Sequence, residues 1–334
     1  MITTPVISVI LPVYNADRFV GEAISSILNQ SFSDFELIII NDGSFDASES
    51  VVKSFTDERI VFLNNDVNKG LIYSLNLGIC CSRGKYLIRM DADDVCFSDR
   101  FLKQFNFMEL NSDVVVSGGQ MEDYDKKSVT SKVETNSDKL KASLLFSCVL
   151  SHPTVIMRAD IIKSQKFLYD ESFPHSEDYE LWSRVCRSFK IANLEDVILR
   201  YRFHSQQVSK VFSHVQVDGM KRCQKMQFKA ANFSFSDVEL DMHSKIARLN
   251  FENTRSFFVA ANLWFIKLYR SPELNNVYNK NALKNVIGCW YYNLTGELLN
   301  AKTPIKRNIL LSPLTYRSLD ISQFIKLMIK IIVK

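Results

Sequence analysis

The chain has 334 residues, 46% hydrophobic and 23% charged, a balance ordinary for a soluble protein and long enough for two domains or one domain with an extension. Its net charge of +4 is uneven: residues 201–334 carry 20 Lys and Arg against 8 Asp and Glu, net +12, and residues 1–200 carry 21 against 29, net −8. No run of about 18 apolar residues escapes interruption by charge, which excludes a spanning helix, and seven cysteines without a Cys-x-x-Cys pair exclude a zinc ribbon or a disulfide framework and fit a reducing cytoplasm.

At the N-terminus, Met1 to Pro5 lacks a basic region and Val6 to Val13 is an apolar run of strand length, so no signal peptide is expected. Ile7 to Leu11 reads as a strand ending at Pro12, and Phe19, Val20, Ala23, Ile24, Ile27 and Leu28 recur at helical spacing. Leu37 to Ile40 is a continuous aliphatic run, the mark of a strand buried on both faces, and Asn41-Asp42-Gly43-Ser44 is a strong turn. A helix over Ala47–Phe55, a strand over Ile60–Leu63 and a helix opened by Asn68-Lys69-Gly70 and running through Cys80 follow. Tyr86 to Met90 is a fourth strand, Phe101 to Leu110 a helix and Val114 to Ser117 a fifth strand. Such alternation predicts an α/β fold with a mostly parallel sheet covered by helices.

After residue 120 the alternation weakens, with strands expected at Val155–Met157 and Val197–Tyr201 and a helix at Asp178–Arg187. Beyond residue 212 the chain reads as helical. Its last stretch, Ile321 to Lys334, places Lys326, Lys330 and Lys334 four residues apart among aliphatic side chains, with Asp320 or Ser322 as a cap. At that length it does not span a bilayer; it either lies in the interface with its lysines toward anionic head groups or docks on the protein itself.

Asp91-Ala92-Asp93-Asp94 directly follows the fourth strand. In an open α/β sheet this is the carboxyl edge, where ligands bind. Carboxylates this close repel unless a cation relieves them, and Mg²⁺ or Mn²⁺ bridging to a diphosphate does so. Pro12-Val13-Tyr14-Asn15, Asp42 and Lys69 lie at the ends of the earlier strands, on that same edge. An aromatic ring stacks on a base, a carboxylate accepts from a base N–H, and a lysine near a helix N-terminus favours phosphate. Each also has a mundane reading as packing aromatic, turn former or solvated charge. Glu177-Asp178 opens a helix, either as simple first-turn acids or as a carboxylate placed to take a proton from a hydroxyl.

The order and spacing of these segments resemble the family 2 glycosyltransferases, which have the GT-A fold. The resemblance rests on Ile7-Ser8-Val9-Ile10-Leu11-Pro12-Val13-Tyr14-Asn15, Ile39-Ile40-Asn41-Asp42-Gly43-Ser44, Asn68-Lys69-Gly70-Leu71 and Arg89-Met90-Asp91-Ala92-Asp93-Asp94. It continues through Ser151-His152-Pro153-Thr154, Ser176-Glu177-Asp178-Tyr179-Glu180-Leu181-Trp182 and Tyr201-Arg202-Phe203-His204, and covers residues 5–210. It implies a GT-A domain over 1–212, with a Rossmann-like nucleotide-sugar half at 1–120 and an acceptor half at 121–212, then a helical extension at 213–334.

The resemblance further implies an inverting, metal-dependent transfer from a UDP-sugar to a glycan, with Mn²⁺ or Mg²⁺ as cofactor. Pro12, Tyr14 and Asp42 would line the uracil site, Lys69 would approach the base or diphosphate, and Asp91 with Ala92 would meet the ribose or metal side. Asp93 would ligate the metal, with Asp94 as the neighbouring acid, and His204 would ligate the metal or touch the diphosphate. Asp178 would be the base, supported by Glu177. His152 and Trp182 have two readings each: acceptor pocket or packing. Some family members carry arginine where Leu75 stands. By fold-level analogy and the basic tail, the expected acceptor is a polyprenyl-diphosphate-linked saccharide of O-antigen, lipopolysaccharide or capsule synthesis, at the inner face of the cell membrane and without nucleic acid. A sugar-nucleotide pyrophosphorylase is the rival enzyme, disfavoured because Pro12–Asn15 stands where its glycine-rich loop would be. A binding protein without turnover is the non-enzymatic rival, disfavoured by the intact Asp91, Asp93 and Asp178.

Overall fold

The computed structural model describes residues 4–130, 132–204 and 212–333. The chain forms two compact units, one of residues 1–137 and 148–219 and one of residues 138–147 and 220–334.

The first unit begins with β1 (Ile7–Val13), α1 (Val20–Leu28), β2 (Phe35–Asp42), α2 (Ser48–Lys53), β3 (Ile60–Asn65), α3 (Leu71–Cys81) and β4 (Tyr86–Arg89). It continues with β5 (Val95–Cys96), α4 (Arg100–Leu110) and β6 (Val114–Asp123). After α5 (Ser137–Ser143), most of which belongs to the second unit, come a 3-10 turn at His152–Thr154, β7 (Ile156–Arg158), α6 (Ala159–Ser164), α7 (Glu177–Val185) and β8 (Lys190–Tyr201).

The eight strands form one sheet in the order β3-β2-β1-β4-β7-β6-β8-β5. β1 pairs in parallel with β2 and β4, β2 with β3, and β6 with β8. β7 is antiparallel to β4 and β6, and β5 is antiparallel to β8. Six strands therefore run one way, which is the mostly parallel α/β sheet expected, and their carboxyl ends share one edge. β2 is buried along its whole length, as its unbroken aliphatic run requires.

Buried polar groups lock the register. Ser8 Oγ donates to Glu36 Oε1 at 2.6 Å and accepts from the backbone N–H groups of Arg83 and Gly84 at 3.1 and 2.8 Å. That clamp joins β1, β2 and the entry to β4. A Cβ on Gly84 would stand 2.6 Å from the Ser8 nitrogen, so only glycine fits. The acceptor half departs furthest from its expected boundaries. β8 begins at Lys190 rather than Val197, and β6 runs to Asp123 rather than Ser117, because the two strands support each other along ten or more residues through register shifts.

In the second unit, α8 (Ser213–Ala230) continues beyond Gly219, followed by α9 (Asp237–Ala247), α10 (Arg255–Arg270), α11 (Pro272–Val277), α12 (Lys280–Asn300), α13 (Lys306–Leu311), α14 (Pro313–Arg317) and α15 (Ile321–Val333). Their aromatic and aliphatic side chains share one core around Phe228, Phe258, Trp264, Phe265 and Tyr291. His243 joins the segment 138–147 to it: Nε2 donates to the Leu145 carbonyl at 2.8 Å while Nδ1 accepts from Trp264 Nε1 at 3.1 Å. Burial holds that imidazole neutral, its pKa lowered to about 4. α9 starts with a full capping box between Ser236 and Glu239.

The terminal helix follows the docking reading on one of its faces. Leu327 and Ile331 are buried and Met328 packs against the core, so one face docks on its own unit. Ile321, Ile325, Ile329 and Ile332 form a second apolar stripe that stays exposed. Lys330 does not reach outward freely; its ammonium lies 5.8 Å over the Tyr292 ring. Lys334 lies outside the described residues. Among the described residues, no helix is long and apolar enough to cross a membrane.

Candidate active site

The turn after β4 is built by its neighbours. Met90 N–H donates to the Ile10 carbonyl, and Arg100 Nη2 donates to the Arg89 carbonyl at 3.0 Å. The acidic residues that follow are then overlaid by the chain leaving β8, because β5 pairs antiparallel with β8. Arg202 N–H donates to Asp94 Oδ1 at 3.0 Å and Arg202 Nε to the Asp93 carbonyl at 2.9 Å. His204 Nε2 stands 2.8 Å from Asp93 Oδ2, and its ring packs on Phe19 at 5.0 Å.

Asp91, Asp93 and Asp94 bring one carboxylate oxygen each within 4.8 Å of one another. Asp94 is buried and its Oδ2 has no hydrogen-bond partner. Burial, followed by repulsion from Asp91 and Asp93, holds its carboxyl well above the usual range. An orphaned buried oxygen in a cluster of like charges is what a cation corrects, and hard oxygen donors suit Mg²⁺ or Mn²⁺. The residues present fit such an ion.

Asp91 is held by Arg89, whose guanidinium grips both carboxylate oxygens. Arg89 itself is buried, and its charge also acts on Tyr169, Glu177, Asp178 and His152. It is the common cation of the site.

Across the cavity, Ser176 precedes α7, and Glu177 and Asp178 are its first two residues. His175 takes a left-handed backbone, φ 63°, at this entry, a strain such as accumulates at functional turns, and its ring stacks on Phe212 at 4.3 Å. Gly219 presses on Ser176 so closely that a Cβ would lie 1.8 Å from its Oγ. Asp178 Oδ1 accepts from the Tyr179 N–H at 2.7 Å and Oδ2 from the Cys148 thiol at 3.4 Å. Burial raises the Asp178 carboxyl, against those hydrogen bonds. Glu177 is buried with Oε2 unpartnered, and burial and then the Asp178 charge raise its carboxyl. His152 Nδ1 is 3.8 Å from Glu177 Oε1 and His152 Nε2 is 2.9 Å from the Tyr169 hydroxyl. Burial and the Arg89 charge keep this histidine neutral.

One cavity of about 320 Å³ collects Arg89, Asp91, Asp93, His152, Glu177 and Asp178, together with Leu71, Tyr201 and Gln216. Residues 91 and 178 of the sequence thus face the same space.

Pro12, Tyr14, Asp42 and Lys69 stand elsewhere on the same sheet edge and do not line that cavity. Tyr14 is 46% exposed, edge-on to Phe45. Asp42 is buried and turned toward the following loop, accepting from Asn65 Nδ2 and from the N–H groups of Lys69 and Gly70 at 2.7, 3.0 and 2.8 Å. Lys69 is exposed and folds along α3, its ammonium 4.6 Å from the Tyr73 ring. Ala92 is buried between the acids. Leu75, at the position where some members carry arginine, is buried on α3.

Trp182 needs correction. It is fully buried, its ring 6.2 Å from His152 and 6.5 Å from Tyr169, so it packs behind the cavity and offers no face to an acceptor sugar. His152 does line the cavity. Arg89, Tyr169, Cys148 and His175 were given no role by sequence reasoning. Only Arg89, inside a quoted motif and apolar on one side, carried a signal: a charge within a buried strand demands a partner.

The family model described as glycosyl transferase family 2 matches residues 8–163. The chain is similar to an uncharacterized glycosyltransferase of Haemophilus influenzae, 34% identical over 65% of this chain and 72% of that protein. It is also similar to the O-antigen biosynthesis glycosyltransferase WbnJ of Escherichia coli, 33% identical over 61% of this chain and 82% of that one. Among solved structures, S. aureus TarS 1–349 in complex with UDP-GlcNAc aligns with a TM-score of 0.57 at 16% identity, over 88% of both chains. The mannosyltransferase PcManGT of Pyrobaculum calidifontis, in complex with GDP-Man and Mn²⁺, aligns at 0.55 and 11%, over 99% of this chain and 88% of that one. At these identities the structures speak for the GT-A fold alone.

Proposed function

The chain belongs to the family 2 glycosyltransferases, and on that premise we propose that it transfers one sugar from a UDP-sugar to a hydroxyl of a glycan, with inversion at the anomeric carbon. The single observation carrying this reading is the shared cavity of Asp91, Asp93 and Asp178. Asp178 is the base: its carboxylate takes the acceptor O–H proton as that oxygen bonds to the anomeric carbon and the bond from that carbon to the diphosphate oxygen breaks. The nucleoside diphosphate departs with the bonding pair. Tyr179 N–H and Cys148 hold the Asp178 oxygens in place, and Glu177 supports it from the next residue.

Asp93, with Asp91 and Asp94, would hold a divalent cation, and His204 sets the Asp93 oxygen. When bound, that cation supplies positive charge to the departing diphosphate. Pro12, Tyr14 and Asp42 receive the base on the open sheet edge, with Lys69 near the diphosphate.

The proposed acceptor is a lipid-linked saccharide of bacterial surface-polysaccharide assembly, met at the inner face of the membrane. Support comes from the similarity to an O-antigen glycosyltransferase and from the open isoleucine stripe of α15, which suits an interfacial helix. In this reading residues 1–212 do the chemistry and 213–334 form the extension that meets the membrane.

The test measures nucleoside diphosphate release from a panel of UDP- and GDP-sugars, wild type against Asp178→Asn. Loss of release in the variant is expected, on the order of 10²- to 10⁴-fold; equal release sinks the assignment.

A further inference from the structure

The second unit holds a cavity of about 690 Å³ lined by Leu299, Asn300, Lys302, Thr303, Pro304, Lys306 and Arg307. Three of these seven side chains are cationic and none is acidic. Among the described residues no carboxylate pairs with Lys302, Lys306 or Arg307, and none of the three side chains makes a hydrogen bond. In the same unit Lys221 pairs with Asp241, Lys225 with Asp237 and Lys267 with Glu239, while Lys280, Lys284 and Lys326 stand without a carboxylate partner among the described residues; what sets Lys302, Lys306 and Arg307 apart is that they line one hollow. Three unpaired cations around one hollow repel one another, and an anion relieves them.

The cavity adjoins apolar surface. Leu310 and Leu311 follow Lys306 and Arg307 by four residues, hence on the same helix faces, and both are exposed, Leu311 at 72%. Gln323 Nε2 reaches Cys289 Sγ, and Lys330 lies over Tyr292. α15 therefore runs in the same direction as α12, which brings its Lys330 end toward the Asn300 end that lines the cavity. Its stripe of Ile321, Ile325, Ile329 and Ile332 is open, the first and last about four-fifths exposed. Unpaired cations beside exposed aliphatic side chains are complementary to the phosphate and acyl layers of an anionic bilayer.

We infer that the cavity at residues 299–307 is a binding site for the phosphate headgroup of an anionic phospholipid, with Lys302, Lys306 and Arg307 as its ligands. This inference rests on the membrane reading of the extension, but it makes a separate claim: the headgroup is taken at one place, not by charge spread over the unit.

The experiment uses the full chain and three readouts. Co-sedimentation with phosphatidylglycerol–phosphatidylcholine vesicles compares wild type with Lys306→Gln/Arg307→Gln and with a charge-matched control, Lys221→Gln/Lys225→Gln. Titration calorimetry with dihexanoyl phosphatidylglycerol, below its micellar concentration, asks for a saturable site without any bilayer. Thermal unfolding checks that each variant folds. Expected are vesicle binding weakened about thirtyfold in the cavity double variant, from roughly fivefold per basic side chain, a much smaller loss in the control, and saturable short-chain binding lost only in the cavity variant. Equal losses in both double variants, or no saturable binding of the short-chain lipid, overturn the site. Ile325→Ser/Ile329→Ser separates the two claims. Vesicle binding unchanged by it defeats the membrane reading of α15 and leaves the calorimetric test of the cavity standing. Association of two copies through that stripe, seen as a dimer by sedimentation that the serine variant abolishes, overturns the lipid assignment.

Discussion

The guanidinium of Arg89 meets the Asp91 carboxylate at both prongs, Nη1 to Oδ2 at 2.6 Å and Nη2 to Oδ1 at 2.5 Å. One partner is buried and the other lines the cavity. The pair joins the end of β4 to the acids across the space, since the same positive charge lowers the pull of protons onto Asp178 and Glu177. Arg89→Met should therefore do two things. It removes one member of a mostly buried ion pair, which costs about 3–5 kcal/mol of stability, measurable by urea unfolding. It also raises the Asp91, Glu177 and Asp178 carboxyls further, so the acid side of any activity profile moves to higher pH. A variant as stable as wild type contradicts the first consequence.

The acid cluster makes a prediction that needs no turnover. Mn²⁺ added with a nucleoside diphosphate should raise the thermal unfolding midpoint of the wild type, because a ligand that binds only the folded state stabilises it. Asp93→Ala should abolish that rise. Asp94→Asn should be more stable than wild type without metal, since it removes a buried, crowded charge with an unpartnered oxygen, and should gain less from Mn²⁺. Equal midpoint shifts in all three proteins would exclude the cluster as the ion's seat.

Trp182 is buried among His152 and Tyr169, so its loss is a packing defect. Trp182→Ala should cost about 3–5 kcal/mol, and Trp182→Phe less. Acceptor KM per folded molecule should not change in the phenylalanine variant. A large rise in KM with unchanged stability would restore the stacking role.

Much of this fold was legible because β1, β2 and β4 are largely apolar runs bounded by turn residues, the composition of strands buried on both faces. β8 was legible only at its end: Lys190 to Asn193 pairs with β6 through tertiary register, which leaves no period in the sequence. The acids were found at strand ends because charge directly after an apolar run is conspicuous. Tyr169 and Cys148 were not, because their roles come from neighbours 17 and 30 residues away, His152 and Asp178, and nothing local marks either. Trp182 shows the opposite error. A tryptophan four residues after Asp178 shares its helix face and looks available, but His152 and Tyr169 stand against its ring and bury it.

Glu177 supplies the last prediction. Its carboxyl is buried, one oxygen is unpartnered, and burial followed by the Asp178 charge raises its pKa above the ordinary 4.5. A carboxyl raised in the folded state binds its proton more tightly there than in the unfolded chain. Its contribution to stability is thus full below the unfolded value and is lost as pH rises through the folded one. Glu177→Gln should be flat across that window and, at pH 8, more stable than wild type. On the acid side Glu177 already carries its proton, so the glutamine leaves the charge beside Asp178 unchanged there; the acid limb of activity should stay in place and the maximal rate within about tenfold. His152 stays neutral throughout and adds no step of its own. If wild-type stability instead climbs with pH between 5 and 8 and the glutamine variant removes that climb, Glu177 is ionised and paired in the folded protein, and its place beside the base has been misread.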